Sequence, residues 1–326
     1  MPPLRLGLLG TGLAARQLYW PALSGMSKQI QLVAVCNRTK PKAQAFARDT
    51  NTPLVVDTAE ELFSLPRLDA VLISLPIAQQ PRYILKALKA GKHVLSEKPV
   101  APNLAAGRAL LKAAAPYQRK GLKWLVGENF HFMAQVDQAQ AWLEEGALGD
   151  VRVVEARQCT FMDEGNPYYH TAWRTDPRFV GGFVVDGGVH IANIVRRLMG
   201  LPVELKSLRA QFSPSLPPLD SCLAVLRFRS GAVGTWLSCF SMQGGGPMVA
   251  LRGSRADLEI HWDHAILKAH VGRSRSYRAP HGSFQGQFRH FARTCQGLEP
   301  LAFSPREALA DLAFMQGLVQ GKLLKP

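Results

Sequence analysis

The chain reads as an α/β protein: an amino-terminal doubly wound parallel sheet, then an α+β domain with a large, mostly antiparallel open sheet. Three observations predict this. Over residues 1–126 short apolar runs alternate with helix-period patterns, as in a parallel sheet covered on both faces. The first apolar run leads directly into Gly10-Thr11-Gly12-Leu13-Ala14-Ala15 and then a helical pattern, the setting in which G-x-G-x-x-A signals dinucleotide binding. After Glu128 the rhythm changes to longer strand-like runs with turn residues between several of them, such as Arg229-Ser230-Gly231. The predicted division is a dinucleotide-binding domain at 1–126 and a substrate-binding and oligomerisation domain at 127–326.

In the first domain the apolar runs predict strands at Leu4 to Leu9, Gln31 to Cys36, Ala70 to Leu75, His93 to Ser96 and Lys123 to Val126. Helices are expected at Leu13 to Leu23, Lys40 to Arg48, Ala59 to Phe63, Gln80 to Ala90 and Leu104 to Ala115, punctuated by Pro66, Pro76, Gly91 and Pro102. In the second, a helix near Val136 to Glu145 precedes strands at Val151 to Phe161, Leu205 to Phe212, Ser221 to Phe228 and Ala232 to Phe240. Helices follow at Gly182 to Met199, Phe284 to Cys295 and Pro305 to Val319. The last has a clear start signal, with Ser304 as N-cap, Pro305 at N1 and Glu307 at N3.

The 326 residues are 47% hydrophobic and 19% charged, which describes a soluble globular protein. No apolar stretch approaches the roughly 20 residues that a membrane helix needs, so no membrane association is expected. The first residues lack the apolar core and cleavage site of a signal peptide, and a cytoplasmic location is expected. The cysteines (Cys36, Cys159, Cys222, Cys239 and Cys295) are scattered without a CxxC pair and read as small buried hydrophobes; no metal site is predicted. The net charge of +15 is spread along the chain, with one local cluster at Arg273-Ser274-Arg275-Ser276-Tyr277-Arg278. Without a nucleic-acid-binding motif, the charge reads as a surface that attracts anionic cofactors and substrates, not nucleic acid.

In the Rossmann reading, Gly10 permits the tight turn, Gly12 lets the backbone approach a pyrophosphate and Ala15 allows close helix packing. Amides at Thr11, Leu13 and Ala14 supply the anion site of the helix start. The end of the second strand, Cys36-Asn37-Arg38-Thr39-Lys40, carries no carboxylate for a ribose diol. Asn37 can bind a ribose hydroxyl and Arg38 a 2′-phosphate, so NADP(H) is predicted in preference to NAD(H), which remains usable. The alternative for Arg38 is a solvated surface charge.

Lys98, in Glu97-Lys98-Pro99 just past the strand at His93, places a cation where doubly wound sheets bind ligands. In Gly181 to Asn193, Asp186, His190 and Asn193 recur on one helix face, with glycines at 181, 182, 187 and 188 allowing close approach of a ligand or another backbone. Alone, Asp186 and His190 read equally well as a helix-start acid and a structural histidine. Together with Glu97-Lys98-Pro99 they read as catalytic.

These segments resemble the Gfo/Idh/MocA family of oxidoreductases (glucose-fructose oxidoreductase and inositol dehydrogenase among them). The matching residues are the glycine loop, Ala90 through Pro99, Glu128-Asn129-Phe130, Trp173-Arg174, and Gly181-Gly182 through Asp186 and His190. The resemblance implies a Rossmann domain plus an open-sheet domain, homodimers or homotetramers, and a Lys98–Pro99 peptide able to be cis. It also implies that Glu97, Lys98 and Asn129 contact the cofactor. Trp173 and Arg174 read either as neighbours of the nicotinamide or substrate, or as packing residues. The loop Ser74-Leu75-Pro76-Ile77-Ala78-Gln79-Gln80 departs from the family's T-P-N-x-x-H; its backbone, with Ser74 and Gln79, is the candidate replacement for contacts to the nicotinamide ribose. Asn193 stands where relatives often carry an acid and can still recognise a hydroxyl.

The activity so implied is hydride transfer between NADP(H) and a secondary alcohol or ketone of a sugar, cyclitol or related polyol. His190 would exchange the hydroxyl proton, Lys98 would stabilise charge on the reacting oxygen, and Asp186 would orient the substrate or His190. Tyr168, Tyr169 and His170, in a loop of mixed aromatic and polar character, are substrate-binding candidates with Lys98, Asp186, His190 and Asn193. Phe130 and His131 read as a connection between domains. The competing activities are a nicotinamide-assisted hydrolase or lyase and a non-catalytic NADP-sensing protein.

Overall fold

Six strands form a parallel sheet: β1 (Leu4–Leu9), β2 (Ile30–Cys36), β3 (Leu54–Val56), β4 (Ala70–Ile73), β5 (His93–Ser96) and β6 (Trp124–Val126). Their order is β3-β2-β1-β4-β5-β6. Consecutive residues such as Val71, Leu72 and Ile73, or Val94 and Leu95, are all buried, because layers cover both faces of the sheet. That is why these strands read as unbroken apolar runs. Strand order reverses between β1 and β4, and the loops leaving the carboxyl ends of β1, β2, β4 and β5 carry the glycine loop, Asn37-Arg38, Ser74 and Glu97-Lys98.

The structure is a computed structural model that describes residues 1–326 except Pro177, Arg178, Val180, Pro280 and His281. The helix after the glycine loop is wound as a π-helix over Ala15–Tyr19 before continuing as α1 (Trp20–Leu23). It is followed by α2 (Lys40–Thr50), α3 (Ala59–Ser64), α4 (Gln80–Lys89) and α5 (Leu104–Arg119). Local chemistry sets their ends. Thr58 caps α3 by accepting from the Glu61 N–H, Asn103 caps α5 by accepting from the Ala106 N–H, and α2 stops where Asn51 turns to a φ of 53°. β3 was absent from the sequence expectation: it is three residues long and half exposed, so little apolar pattern marks it.

The second sheet contains β7 (Val151–Cys159), β8 (Glu204–Ala210), β9 (Ser221–Arg227), β10 (Val233–Cys239), β11 (Val249–Gly253), β12 (Ala256–Ile260), β13 (His264–Ala269) and β14 (Arg275–Arg278). The order is β14-β13-β12-β11-β7-β10-β9-β8, antiparallel except for the β7–β10 pair. Helices α6 (Ala134–Glu144), α7 (Gly182–Met199), α8 (Ser283–Cys295) and α9 (Pro305–Gln320) complete the chain. The sequence pattern did not reveal β11 to β14. Charges interrupt their alternation and are paired within the sheet: Arg252 bonds Glu155, Asp257 and Glu259, and Lys268 bonds Glu259. Burial pushes the Glu259 carboxyl up, but Lys268 and Arg252 outweigh it and hold the pKa at about 2. The basic cluster lies partly on edge strand β14, where Arg275 pairs with Glu145 and Arg278 with Asp263.

The chain divides into two units, Met1–Glu128 with Phe284–Leu309, and Asn129–Ser283 with Ala310–Pro326. Because α8 and the start of α9 return to the first unit, a single cut in the chain cannot express this division. Burial raises the Cys36 and Cys222 thiols to about 11, in keeping with cysteines that pack as small hydrophobes.

Candidate active site

In the first unit the glycine loop is shaped by what surrounds it. Gly10 has a φ of +99°, and a Cβ there would lie 2.2 Å from the Ser74 carbonyl oxygen, so β1 and β4 can be neighbours at this level only around glycine. A Cβ at Gly12 would meet nothing within 4 Å, which leaves open space over the start of the helix. Asn37 Oδ1 accepts from the Thr11 N–H at 3.3 Å and its Nδ2 donates to the Thr39 carbonyl at 3.2 Å, fastening the end of β2 to the loop. Arg38 is exposed, whereas Lys40 is committed to Asp57 at 2.7 Å.

Four buried polar side-chain atoms in this unit lack a hydrogen-bond partner among the described residues: the Thr11 hydroxyl, the Gln80 carboxamide oxygen and both carboxamide atoms of Gln287 in α8. Stranding such atoms costs about 1–3 kcal/mol each unless a bound molecule or water meets them. The Thr11 hydroxyl and the Gln80 oxygen, together with the space over Gly12, fit a nucleotide cofactor. Gln80 was not singled out from the sequence, although it occupies the histidine position of the T-P-N-x-x-H spacing. Ile77, in the asparagine position, is buried, and Gln79 is exposed.

Lys98 follows β5, half-buried, with a cis Lys98–Pro99 peptide as the resemblance implied. Glu97 is braced from within the same unit: the buried Tyr19 hydroxyl donates to its Oε1, and the Lys98 N–H donates to its Oε2 at 3.3 Å. Tyr19 is itself wedged edge-on against Phe284 and Phe288, with ring centroids at 5.7 and 5.8 Å. It ends the π-helical turn that begins at Ala15, a distortion often found beside functional groups. Sequence periodicity marked Tyr19 only as a helix residue.

In the second unit, α7 brings Asp186 and His190 to one face. The glycines there are answered by protein neighbours: a Cβ at Gly181 would strike Val185, one at Gly187 would strike Gln158 and Phe240, and one at Gly188 would strike Met315. Asp186 is paired with Arg174, whose Nε donates to its Oδ2 at 2.7 Å, with both side chains nearly buried. Arg174 also donates to Thr171 Oγ1 at 2.8 Å and lies over the rings of Trp173 at 4.2 Å and Tyr168 at 5.0 Å. Arg174, expected near the cofactor or substrate or in packing, is thus the counter-charge of Asp186.

His190 is half-exposed and stacks on Phe130, with ring centroids 4.3 Å apart and planes 18° from parallel. Asn193 is fully buried, and its Nδ2 donates at 3.0 Å to Asp311, which also binds Arg196. Asn129 donates at 2.9 Å to Ser283 Oγ. Tyr169 is half-buried, and the exposed His170 reaches the Glu164 carbonyl through Nε2 at 3.0 Å. Among the described residues, no cluster of three or more His, Cys, Asp or Glu is placed to hold a metal ion.

The family model described as "Oxidoreductase family, NAD-binding Rossmann fold" matches residues 4–123, and that of the GFO/IDH/MocA C-terminal domain matches residues 136–259. The chain belongs to the Gfo/Idh/MocA oxidoreductase family. An oxidoreductase structure from Thermotoga maritima is 32% identical, with a TM-score of 0.91, over 98% of this chain and 96% of the other. The dehydrogenase FPY6 of Fusarium mangiferae is 28% identical over 96% of this chain and 95% of its own length. An inositol dehydrogenase homolog from Azotobacter vinelandii, in complex with NAD+, shares the fold at 20% identity, with a TM-score of 0.84 over 98% and 95% of the two chains. As a Gfo/Idh/MocA oxidoreductase, the protein is an NAD(P)-binding Rossmann enzyme with an open-sheet carboxyl-terminal domain. Among its described residues no helix is long and apolar enough to cross a membrane.

Proposed function

We propose that the protein interconverts a secondary alcohol and a ketone of a sugar, cyclitol or related polyol, and that it uses NADP(H) in preference to NAD(H). The observation that carries this reading is α7: Asp186 is paired with Arg174, while His190, one turn along, presents a half-exposed imidazole, a side chain able both to take and to return a proton. Relatives named for dehydrogenase activity and a cyclitol-related neighbour support the substrate class.

Gly10, Thr11, Gly12, Leu13 and Ala14 would hold the cofactor's pyrophosphate, with the Thr11 hydroxyl as an added donor. Asn37 would meet the adenosine ribose and Arg38 its 2′-phosphate; the missing carboxylate at the end of β2 and the commitment of Lys40 to Asp57 support this division. Ser74, Leu75, Pro76, Gln79 and Gln80 would face the nicotinamide ribose, with Glu97 held in place by Tyr19. When bound, the nicotinamide supplies the hydride acceptor or donor. His190 takes the hydroxyl proton in oxidation and returns it in reduction, and the Lys98 ammonium stabilises negative charge developing on the same oxygen. Asp186 keeps Arg174, Trp173 and Tyr168 in place beside the proton-transfer group. Tyr169 and His170 remain substrate-contact candidates, whereas Asn193 serves Asp311. Homodimers or homotetramers fit the open side of the second sheet, where Leu208, Leu223, Val225 and Val233 are exposed.

The test is turnover of a panel of polyols and ketoses, followed by NADPH absorbance. His190→Ala should lower kcat roughly 10²- to 10⁴-fold with unchanged NADPH affinity, and Lys98→Ala should also lose turnover. Near-normal turnover by His190→Ala sinks the acid–base assignment.

A further inference from the structure

A histidine presented on a helix surface turns easily about its terminal torsion, which is broad and roughly two-fold. A proton-transfer group that turned freely would lose most of its alignment with the reacting oxygen. The second unit contains a device that restricts this rotation. Phe130 lies in the turn Asn129–Phe132, is 6% exposed, and lays its ring against one face of the His190 imidazole. Tilting the imidazole would drive an edge into the phenyl ring, so the ring nitrogens are confined to one plane.

Phe130 is fixed in turn from two sides. The preceding residue, Asn129, donates to Ser283, which holds the turn. Trp262 meets the Phe130 ring edge-on, at 5.0 Å and 72°, the arrangement aromatic pairs favour. Trp262 is 67% exposed, yet its backbone is held: Gln135, buried in α6, donates from Nε2 to the Trp262 carbonyl at 2.7 Å. An exposed tryptophan pinned through its backbone and packed edge-on against a ring that stacks on His190 forms a graded aromatic series, from solvent to imidazole.

We propose that Phe130 is a positioning residue for the proton-transfer step, acting through His190, with Trp262 as its outer brace. This rests on the acid–base reading of His190. Phe130→Met removes the flat face but keeps an adaptable apolar side chain, and Phe130→Tyr keeps the face. The methionine variant should lose about 10- to 100-fold in kcat, the cost of a modest misplacement of a reacting group, with NADPH affinity and melting temperature close to wild type. The tyrosine variant should remain within about 3-fold, since the ring contact survives the change.

The decisive measurement places each change in the His190→Ala background. If Phe130 acts through His190, Phe130→Met causes no further loss there. Multiplicative losses, or a methionine variant with unchanged kcat, overturn the proposal. If Phe130→Met does not fold, Trp262→Ala, a surface change, serves instead: it should lower kcat about 3-fold in the native background and not at all with His190→Ala. An unchanged kcat in that variant, or an equal loss in both backgrounds, likewise overturns it. Normal turnover by His190→Ala alone would instead refute the acid–base reading, so the two failures are distinguishable.

Discussion

Replacing Arg174 with methionine would remove the guanidinium that meets the Asp186 carboxylate. The pair is held at 2.7 Å with side-chain exposures of 11% and 9%, so water is poorly placed to substitute for the guanidinium. Removing one partner of such a pair costs about 3–5 kcal/mol, far more than the 0–1 kcal/mol typical of exposed pairs. Methionine can retain contact with the Trp173 and Tyr168 rings, so little of the loss should come from packing. Adding Asp186→Asn removes the buried charge and should recover most of the deficit. The sign with pH also follows: protonating a buried carboxyl that has lost a positive neighbour relieves part of the cost, so the gap between the arginine variant and wild type should narrow as pH falls. Hydrogen exchange at the α7 amides reads the local free energy directly and avoids assuming that a two-unit protein unfolds in one step. A single variant within about 1 kcal/mol of wild type at neutral pH, or no recovery in the double variant, would refute the reasoning.

Two further outcomes test other parts of the molecule. Arg38→Ala should weaken NADPH binding about 10- to 100-fold, equivalent to losing a charge-assisted hydrogen bond of 1.5–3 kcal/mol, while leaving NADH binding nearly unchanged; equal effects in titrations with both cofactors would remove Arg38 from the 2′-phosphate. His93 accepts the Lys123 N–H through Nδ1 at 2.9 Å, and burial, aided by the Lys123 charge, pushes its pKa below the ordinary 6.5. The unfolded chain therefore takes up a proton near 6.5 that the folded chain refuses. His93's contribution is fully present above that value and declines as pH falls toward the depressed one. Denaturant midpoints between about pH 5 and 8 should show this slope in the native protein and a flatter one in His93→Asn; equal slopes would remove His93 as its source.

Legibility from sequence followed the physics of each element. The parallel strands were readable because burial on both faces makes an unbroken apolar run, as at Ala70–Ile73. The start of α9 was readable because its signal is local: Glu307 accepts from the Ser304 N–H at 2.8 Å and the Glu307 N–H donates to Ser304 Oγ at 3.3 Å. By contrast, β11 to β14 depend on cross-strand charge pairs such as Arg252 with Glu155, partners 97 positions apart in the chain. The same distinction applies at the candidate site. The glycine loop, Lys98, Asp186 and His190 announce themselves by type and spacing. Of the groups that hold them, Tyr19 on Glu97 is an ordinary helix residue until folding, whereas Arg174 and Phe130 lie in segments matching the family but show their roles on Asp186 and His190 only in the fold.

The return of Phe284–Leu309 to the first unit bears on how the protein is made. A ribosome that has released residues up to Glu128 has delivered all six strands of the parallel sheet, but neither phenylalanine that packs against Tyr19. The amino-terminal unit must wait, with those two phenylalanine contacts to Tyr19 unmade, until α8, more than 150 residues beyond its last strand, has emerged. A product truncated before α8 would present an aromatic surface for chaperones to bind.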